Sequence, residues 1–288
     1  MSAAPHRRVI GVMVLVPVVA ALALWAFAWP AARTAPHDLP IGVTGPAAAA
    51  GQLEQRFEEH GGAFDVHRYE DEAAARTAIE DRVVYGAVVA GPASPELLIA
   101  TGGGPVVAQL LEQAVTAQAP PGTDVQVTDL APLPSGDPRG SALPASVLPV
   151  ALGGVAAGAL VTLLGLRGAR AAGALAGAAV LAGITATAIA HSWLGVLDGD
   201  WWAEAGALSL TVAAIGAPVA GFAALLGTPG IGAGALLMVL FGNPFSGATS
   251  APELLPGPVG DLGQWLPPGA GATLMRSVAY FDGGGGGA

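Results

Sequence analysis

The sequence contains no cysteine and no lysine, and charge of either sign is scarce. Without cysteine there is neither a disulfide framework nor a thiolate metal site. Without lysine the phosphate-loop pattern G-x-x-x-x-G-K-[ST] is unavailable, so the chain carries no Walker-type nucleotide chemistry of its own. All 11 basic residues are arginine. Charged residues make up 11% of the chain, against about 25% in a soluble domain. No G-x-S-x-G elbow and no H-E-x-x-H helix occurs, and the carboxylates are scattered rather than paired, so an enzyme is not expected.

The scarce charge is unevenly placed. Residues 9–32, 140–166, 171–197 and 205–252 contain no Asp, Glu, Lys or Arg, in runs of 24, 27, 27 and 48 residues. About 20 apolar residues cross a bilayer as a helix. The first three runs fit one span each and the fourth fits a hairpin of two, giving five predicted spans. The last is short: Gly230 to Phe241 makes only about 18 Å of helix. It must begin in the turn before it, run past Asn243-Pro244, or stop inside the membrane. A sequence with 53% hydrophobic residues, 43 glycines and 24 prolines fits a lipid-embedded bundle, because both breakers are commoner in membrane helices than in soluble ones.

Arginine sets the predicted orientation. Arg7 and Arg8 precede the first span, and Arg167 and Arg170 sit in the turn between the second and third. The positive-inside rule makes both places cytoplasmic. All 21 acidic residues then fall outside, including the loop Asp198–Glu204. Trp25, Trp29, Trp193, Trp201 and Trp202 lie near predicted outer ends, where indoles favour the interface. The reading is a multi-pass plasma-membrane protein with a cytoplasmic N-terminus. The alternative for the first span is a signal peptide cleaved near Ala26-Phe27-Ala28, but its apolar run exceeds the usual 7–15 residues.

Four regions follow: a first transmembrane helix at 1–30, an extracytoplasmic α/β domain at 31–142, a four-helix transmembrane region at 143–242, and an outer re-entrant or interfacial segment with a Gly-rich tail at 243–288. Residues 31–142 carry 15 acids and 6 arginines, a balance that does not suggest nucleic acid or anionic lipid as a partner. Strand and helix signals there alternate in the order β-α-β-α-β-β-α-β, from Leu39 to Leu130. Asp71 is placed to cap a helix running to Arg82. Helices are expected over at least one face of a mixed sheet.

Candidate functional residues are few. Thr101-Gly-Gly-Gly-Pro105 lies between a strand and a helix, where backbone N–H groups would meet an anion; a flexible turn is the plainer reading. Glu58, Glu59 and His60 are adjacent but diverge on a helix, so no metal site is expected. His191 is the ionisable group nearest a span, making it either functional or interfacial. Pro218 stands midway along the fourth span, where a kink would serve gating or packing. Gly154/Gly158, Gly173/Gly177 and Gly230/Gly234 are spaced for close helix approach, within the bundle or across a dimer. No cofactor is implied.

The tail has a recognisable cadence: Gly242-Asn243-Pro244-Phe-Ser-Gly247, then Pro252-Glu253-Leu-Leu-Pro256, Trp265-Leu-Pro-Pro268, Arg276 and Tyr280-Phe281. With the single N-terminal span, the run Val83–Val89 and the Asp137-Pro-Arg-Gly140 junction, the plan resembles ABC-2 type permeases. It is most similar to the YhgE/phage-infection-protein-like branch, which has a large outer domain. That resemblance implies six spans, one more than the five predicted here, so a sixth is expected either to follow this sequence or to have been lost. It also implies a homodimer or related membrane subunit as partner, and export powered by a separate ATP-binding-cassette ATPase. It singles out Asn243, Pro244, Glu253 and Arg276. The inner loops at 167–170 and 227–230 are short for a coupling helix, so the alternative is a non-transport, membrane-anchored protein that binds an envelope component or phage.

Overall fold

A computed structural model describes residues 3–59, 61–91, 95–118 and 125–285, with side chains from residue 9 onward. His60, Asp124, Gly286 and Gly287, and the side chains of Arg7 and Arg8, lie outside the described residues.

A lone helix, α1 (Ala3–Ala31), leads into the sheet domain. Its apolar side chains are largely exposed from Val9 to Phe27. Only the end nearest the sheet is packed: Ala26 is buried, and Trp29 stacks on Trp25 and packs against the cluster of Phe245, Leu255 and Val259. The domain then builds β1 (Leu39–Thr44), α2 (Ala47–Glu58), β2 (Phe64–Arg68), α3 (Glu72–Glu80), β3 (Gly86–Val89), β4 (Glu96–Ile99), α4 (Pro105–Gln118) and β5 (Gln126–Asp129). This is the order read from the sequence. The strands lie as β2-β1-β3-β4-β5, with β3–β4 antiparallel and the other pairs parallel.

Alternation along the strands decides what covers each face. Leu39, Ile41, Val43, Leu97 and Ile99 point to one side, where Phe57 of α2 and Val107, Leu111 and Val115 of α4 bury them. Ala87 and Leu98 point to the other, under Ala75, Ala78 and Ile79 of α3. Both faces are therefore covered, one more than the minimum expected. The swap of faces between α2 and α3 follows from right-handed crossovers running in opposite directions across the sheet. Asp71 accepts from the Ala74 N–H at 2.8 Å, the expected N-cap. The helix ends at Glu80 rather than Arg82, because Arg82 takes a left-handed backbone with φ of 58°.

The bundle comprises α5 (Ala142–Leu163), α6 (Gly168–Thr187, continued by a wider π-helical stretch to Trp193), α7 (Trp201–Leu226) and α8 (Thr228–Ala235, continued likewise to Gly242). α7 is the hub, packed by α5, α6, α8 and the later helix Pro267–Tyr280. Gly154 and Gly158 of α5 lie against Val212, Ile215, Gly216 and Val219 of α7, so close that a Cβ would strike backbone. That pair serves packing within the chain, as do Gly230 and Gly234 against α7. Gly173 and Gly177 meet nothing within 4 Å.

Four helices are long and apolar enough to cross a membrane: 9–31, 142–163, 168–193 and 201–226. The fifth predicted span does not reach that length; it starts in the turn at Thr228 and stops at Gly242. Gly242 abuts Pro268, and Gly271 abuts Thr211. Helix α8 therefore stops beside α7 about ten residues, roughly 15 Å, from that helix's start. Helix α10 (Pro267–Tyr280) begins at the same level and runs back toward the sheet domain, preceded by a 3-10 turn at Pro252–Leu254 and α9 (Val259–Gln264).

The segment from residue 243 is no appendage. Ala251 and Leu254 are buried in the sheet-domain core. Met275 and Ala279 are buried in the bundle core with Leu143 and Leu208. The linker after α1 pairs with the same segment: the Ala35 N–H donates to Leu254 O at 3.0 Å, and the His37 N–H to Glu253 O at 2.9 Å.

Candidate functional site

A cavity of about 300 Å³ opens where these parts meet. Pro40 and Val84-Tyr85 line it from the amino ends of β1 and β3, and Ala100 and Gly103 from just beyond β4. This is the bundle-facing edge of the sheet, opposite the strand carboxyl ends where open α/β sheets usually bind ligands. The other wall comes from Pro252, Glu253, Asp261, Gln264, Thr273, Arg276 and Phe281.

Breaking the chain between α8 and α10 frees backbone carbonyls that must find donors. Arg276 supplies two of them. It is 4% exposed, and its Nη2 donates to Ala248 O at 2.7 Å and Gly247 O at 3.3 Å. Gln264 Nε2 donates to Ser246 O at 3.0 Å, and Thr273 Oγ1 donates to Gln264 Oε1 at 2.7 Å. Arg82 reaches from the sheet domain: its Nη1 donates to Thr273 O at 3.0 Å, and its guanidinium sits 5.5 Å from the Phe281 ring centre. Tyr85 donates its hydroxyl to Glu253 Oε2 at 2.7 Å.

Burial pushes the Arg82 guanidinium below its ordinary pKa, with Arg276 adding to the fall and Tyr85 and Glu253 opposing it. Burial, and then the Glu253 carboxylate, push the Tyr85 phenol well above the usual range. Tyr85 therefore stays a hydrogen-bond donor at neutral pH.

Of the six sequence candidates, Glu253 and Arg276 are brought together here. Asn243 and Pro244 are not: they terminate α8, where Asn243 O accepts from the Ser246 hydroxyl at 2.7 Å. Pro218 is half-buried inside α7, away from the cavity. His191 lies in the wider-wound end of α6 and pairs through Nδ1 with Glu204 Oε2 at 2.9 Å. Glu204 is fully buried, and its other oxygen accepts from the Gly199 N–H at 3.0 Å. With Asp200 accepting from the Ala203 N–H, this pair closes the amino end of α7 as a cap.

Sequence reasoning missed Arg82, Tyr85, Gln264 and Glu204. The sole cue to Tyr85 was a polar ring inside the apolar run Val83–Val89. The Thr101–Pro105 turn is tied down by internal contacts. Thr101 Oγ1 donates to Asp129 Oδ2 at 2.6 Å, the Gly102 N–H donates to Ala131 O at 2.8 Å, and Gly102 leaves room for the Tyr280 ring. Among the described residues no three His, Asp or Glu side chains gather as metal ligands.

Comparison with protein-family models, curated proteins and solved structures gives no match.

Proposed function

We propose that this chain is a permease-like membrane subunit related in plan to ABC-2 exporters, moving a solute whose identity the site does not name. Any ATP hydrolysis belongs to a separate chain. The observation that carries the reading is the pair of interrupted helices. α8 and α10 both stop beside the middle of α7, with Gly242 against Pro268. Broken helices whose ends face each other at depth are how transporters build sites and gates, because irregular backbone is tolerated there only where protein or a water-lined path satisfies it.

Charge supports the orientation. Asp198, Asp200 and Glu204 sit at the sheet-domain end of the bundle, whereas Arg167 and Arg170 sit beyond the far end of α5. The 22 residues of α5 put about 33 Å between the two groups. The positive-inside rule then makes the sheet domain extracytoplasmic and the N-terminus cytoplasmic. In this arrangement the subunit works as a homodimer or beside a related membrane chain in the bacterial plasma membrane.

The absence of cysteine gives a clean test. Thr211→Cys places a thiol at a buried position in a crevice of only about 20 Å³ between α5, α7 and α10. Transport requires that crevice to open, so a membrane-impermeant maleimide should label this position in right-side-out or inverted native vesicles. Absence of labelling from either side removes the reading. A second reading, a membrane-anchored binding module, is favoured by the tight α7–α8 turn at Gly227, which is too short to hold a coupling helix. It predicts a ligand at the junction cavity and a permanently closed crevice.

A further inference from the structure

Two guanidinium groups share the junction cavity without a counter-ion of their own. Among the described residues, no carboxylate lies within 4.0 Å of either Arg82 or Arg276. Each guanidinium has five N–H donors. The hydrogen bonds found use Nη1 of Arg82 and Nη2 of Arg276, both on backbone carbonyls, which do not neutralise charge. Among the described residues two carboxylates line the cavity, and the half-buried one, Glu253, has its Oε2 occupied by the Tyr85 hydroxyl. Asp261 is exposed at the rim, where water screens it. Among the described residues the buried Arg276 and half-buried Arg82 thus face one half-buried carboxylate, where unpaired charge is costly.

Arg82 is held there at some expense: it is a non-glycine residue in a left-handed backbone conformation. That conformation ends α3 and turns the side chain across the seam to Thr273.

We propose that this cavity is a binding site for a small anion carrying a carboxylate or phosphate group, gripped by Arg82 and Arg276. Guanidinium forks match the oxygens of both groups. The single excess positive charge favours a monoanion. Phe281, Val84 and Pro252 provide apolar wall for the rest of the solute. About 300 Å³ is the low end of small-molecule pockets, which suits a solute rather than a macromolecule. The site stands whether or not the bundle transports anything, because binding and flux are read separately.

The test is a calorimetric titration of the full chain in mild detergent, using inorganic phosphate and benzoate, with benzylamine as the cationic control. Saturable one-site binding of an anionic probe, and none of benzylamine, is expected. Arg82→Gln should weaken it at least tenfold. Glu253→Gln leaves an acceptor for Tyr85 but removes the interior negative charge, so it should tighten anion binding at least threefold. Damage to the fold moves affinity only downward, which makes the second variant decisive. No saturable binding up to about 10 mM, or a Glu253→Gln chain that binds no tighter, overturns the proposal. Repeating the titration in nanodiscs of phosphatidylcholine and of phosphatidylglycerol assigns the source. Equal affinity in both supports a free solute, and loss in the anionic lipid supports a headgroup occupant of the same site.

Discussion

Leu254→Ala tests whether the segment after α8 is keyed into the sheet domain or merely rests on it. Leu254 is 0% exposed and shares a core with Leu39, Ile41, Phe57 and Leu111. Its carbonyl accepts from the Ala35 N–H at 3.0 Å, which fixes the backbone and limits how far the site can collapse. Removing three buried carbons costs about 2.4 kcal/mol in transfer alone, and a part-filled cavity brings the sum to about 3 kcal/mol. At about 2–4 °C per kcal/mol for a chain of 150–250 residues, the melting temperature in mild detergent should fall by roughly 6–12 °C. Near-UV circular dichroism reads the transition, since it follows tertiary packing. Leu262→Ala is the control: Leu262 is 56% exposed on α9, only eight residues on. It should change stability by no more than about 0.5 kcal/mol. If the two variants melt together, Leu254 is not a core residue, and the two units are not bound through the 243–282 segment.

The other predictions concern single contacts. Gly158→Leu should disrupt the α5–α7 seam and lower the yield of folded protein, measured by size-exclusion profile in detergent, whereas Gly177→Leu, with nothing within 4 Å, should leave that monomer fold intact. Glu204→Ala strips the acceptor from Gly199 and leaves His191 without its partner, at a cost of about 1–3 kcal/mol; Glu204→Gln should recover most of it, read by the same melts. A reporter inserted after Gly168, at the start of α6 just past the turn from α5, should be active only in the cytoplasmic form. External activity there would invert the orientation proposed for the sheet domain.

The sheet domain was legible because its signals are local. Asp71 before an Ala-rich helix, the apolar run Val83–Ala90 and Pro105 at a helix start each report on their own neighbours, and an observed element falls at each, the strand covering only Gly86–Val89 of its run. The four helices long and apolar enough to cross a membrane were legible for a similar reason, since absence of charge over 20 residues leaves few alternatives. The fifth was overcounted. A run of 48 uncharged residues has room for a hairpin, but a run without charge says nothing about where a helix must stop. Here it stops at Gly242, just ahead of Pro244. Glu204 was read as an outer-loop charge because proximity to Asp198 and Asp200 hides that it faces inward onto His191.

The junction was illegible for a deeper reason. Where α8 ends, the carbonyls of Ser246, Gly247 and Ala248 lose their helical donors, and the replacements come from Gln264 and Arg276, 18 to 29 residues later. No periodicity links a freed carbonyl to a side chain on another helix. Arg276 reads in sequence as an isolated charge in an apolar tail, easily taken for a surface residue. Its burial follows only once α10 is known to lie between the bundle and the sheet domain. The same placement brings Arg276 to the cavity that Arg82 reaches from the other side. One break in a helix thus creates both the need for a buried guanidinium and the space in which a second one can meet it. An arginine that only satisfied carbonyls would be indifferent to the charge at Glu253; one that also holds an anion would not.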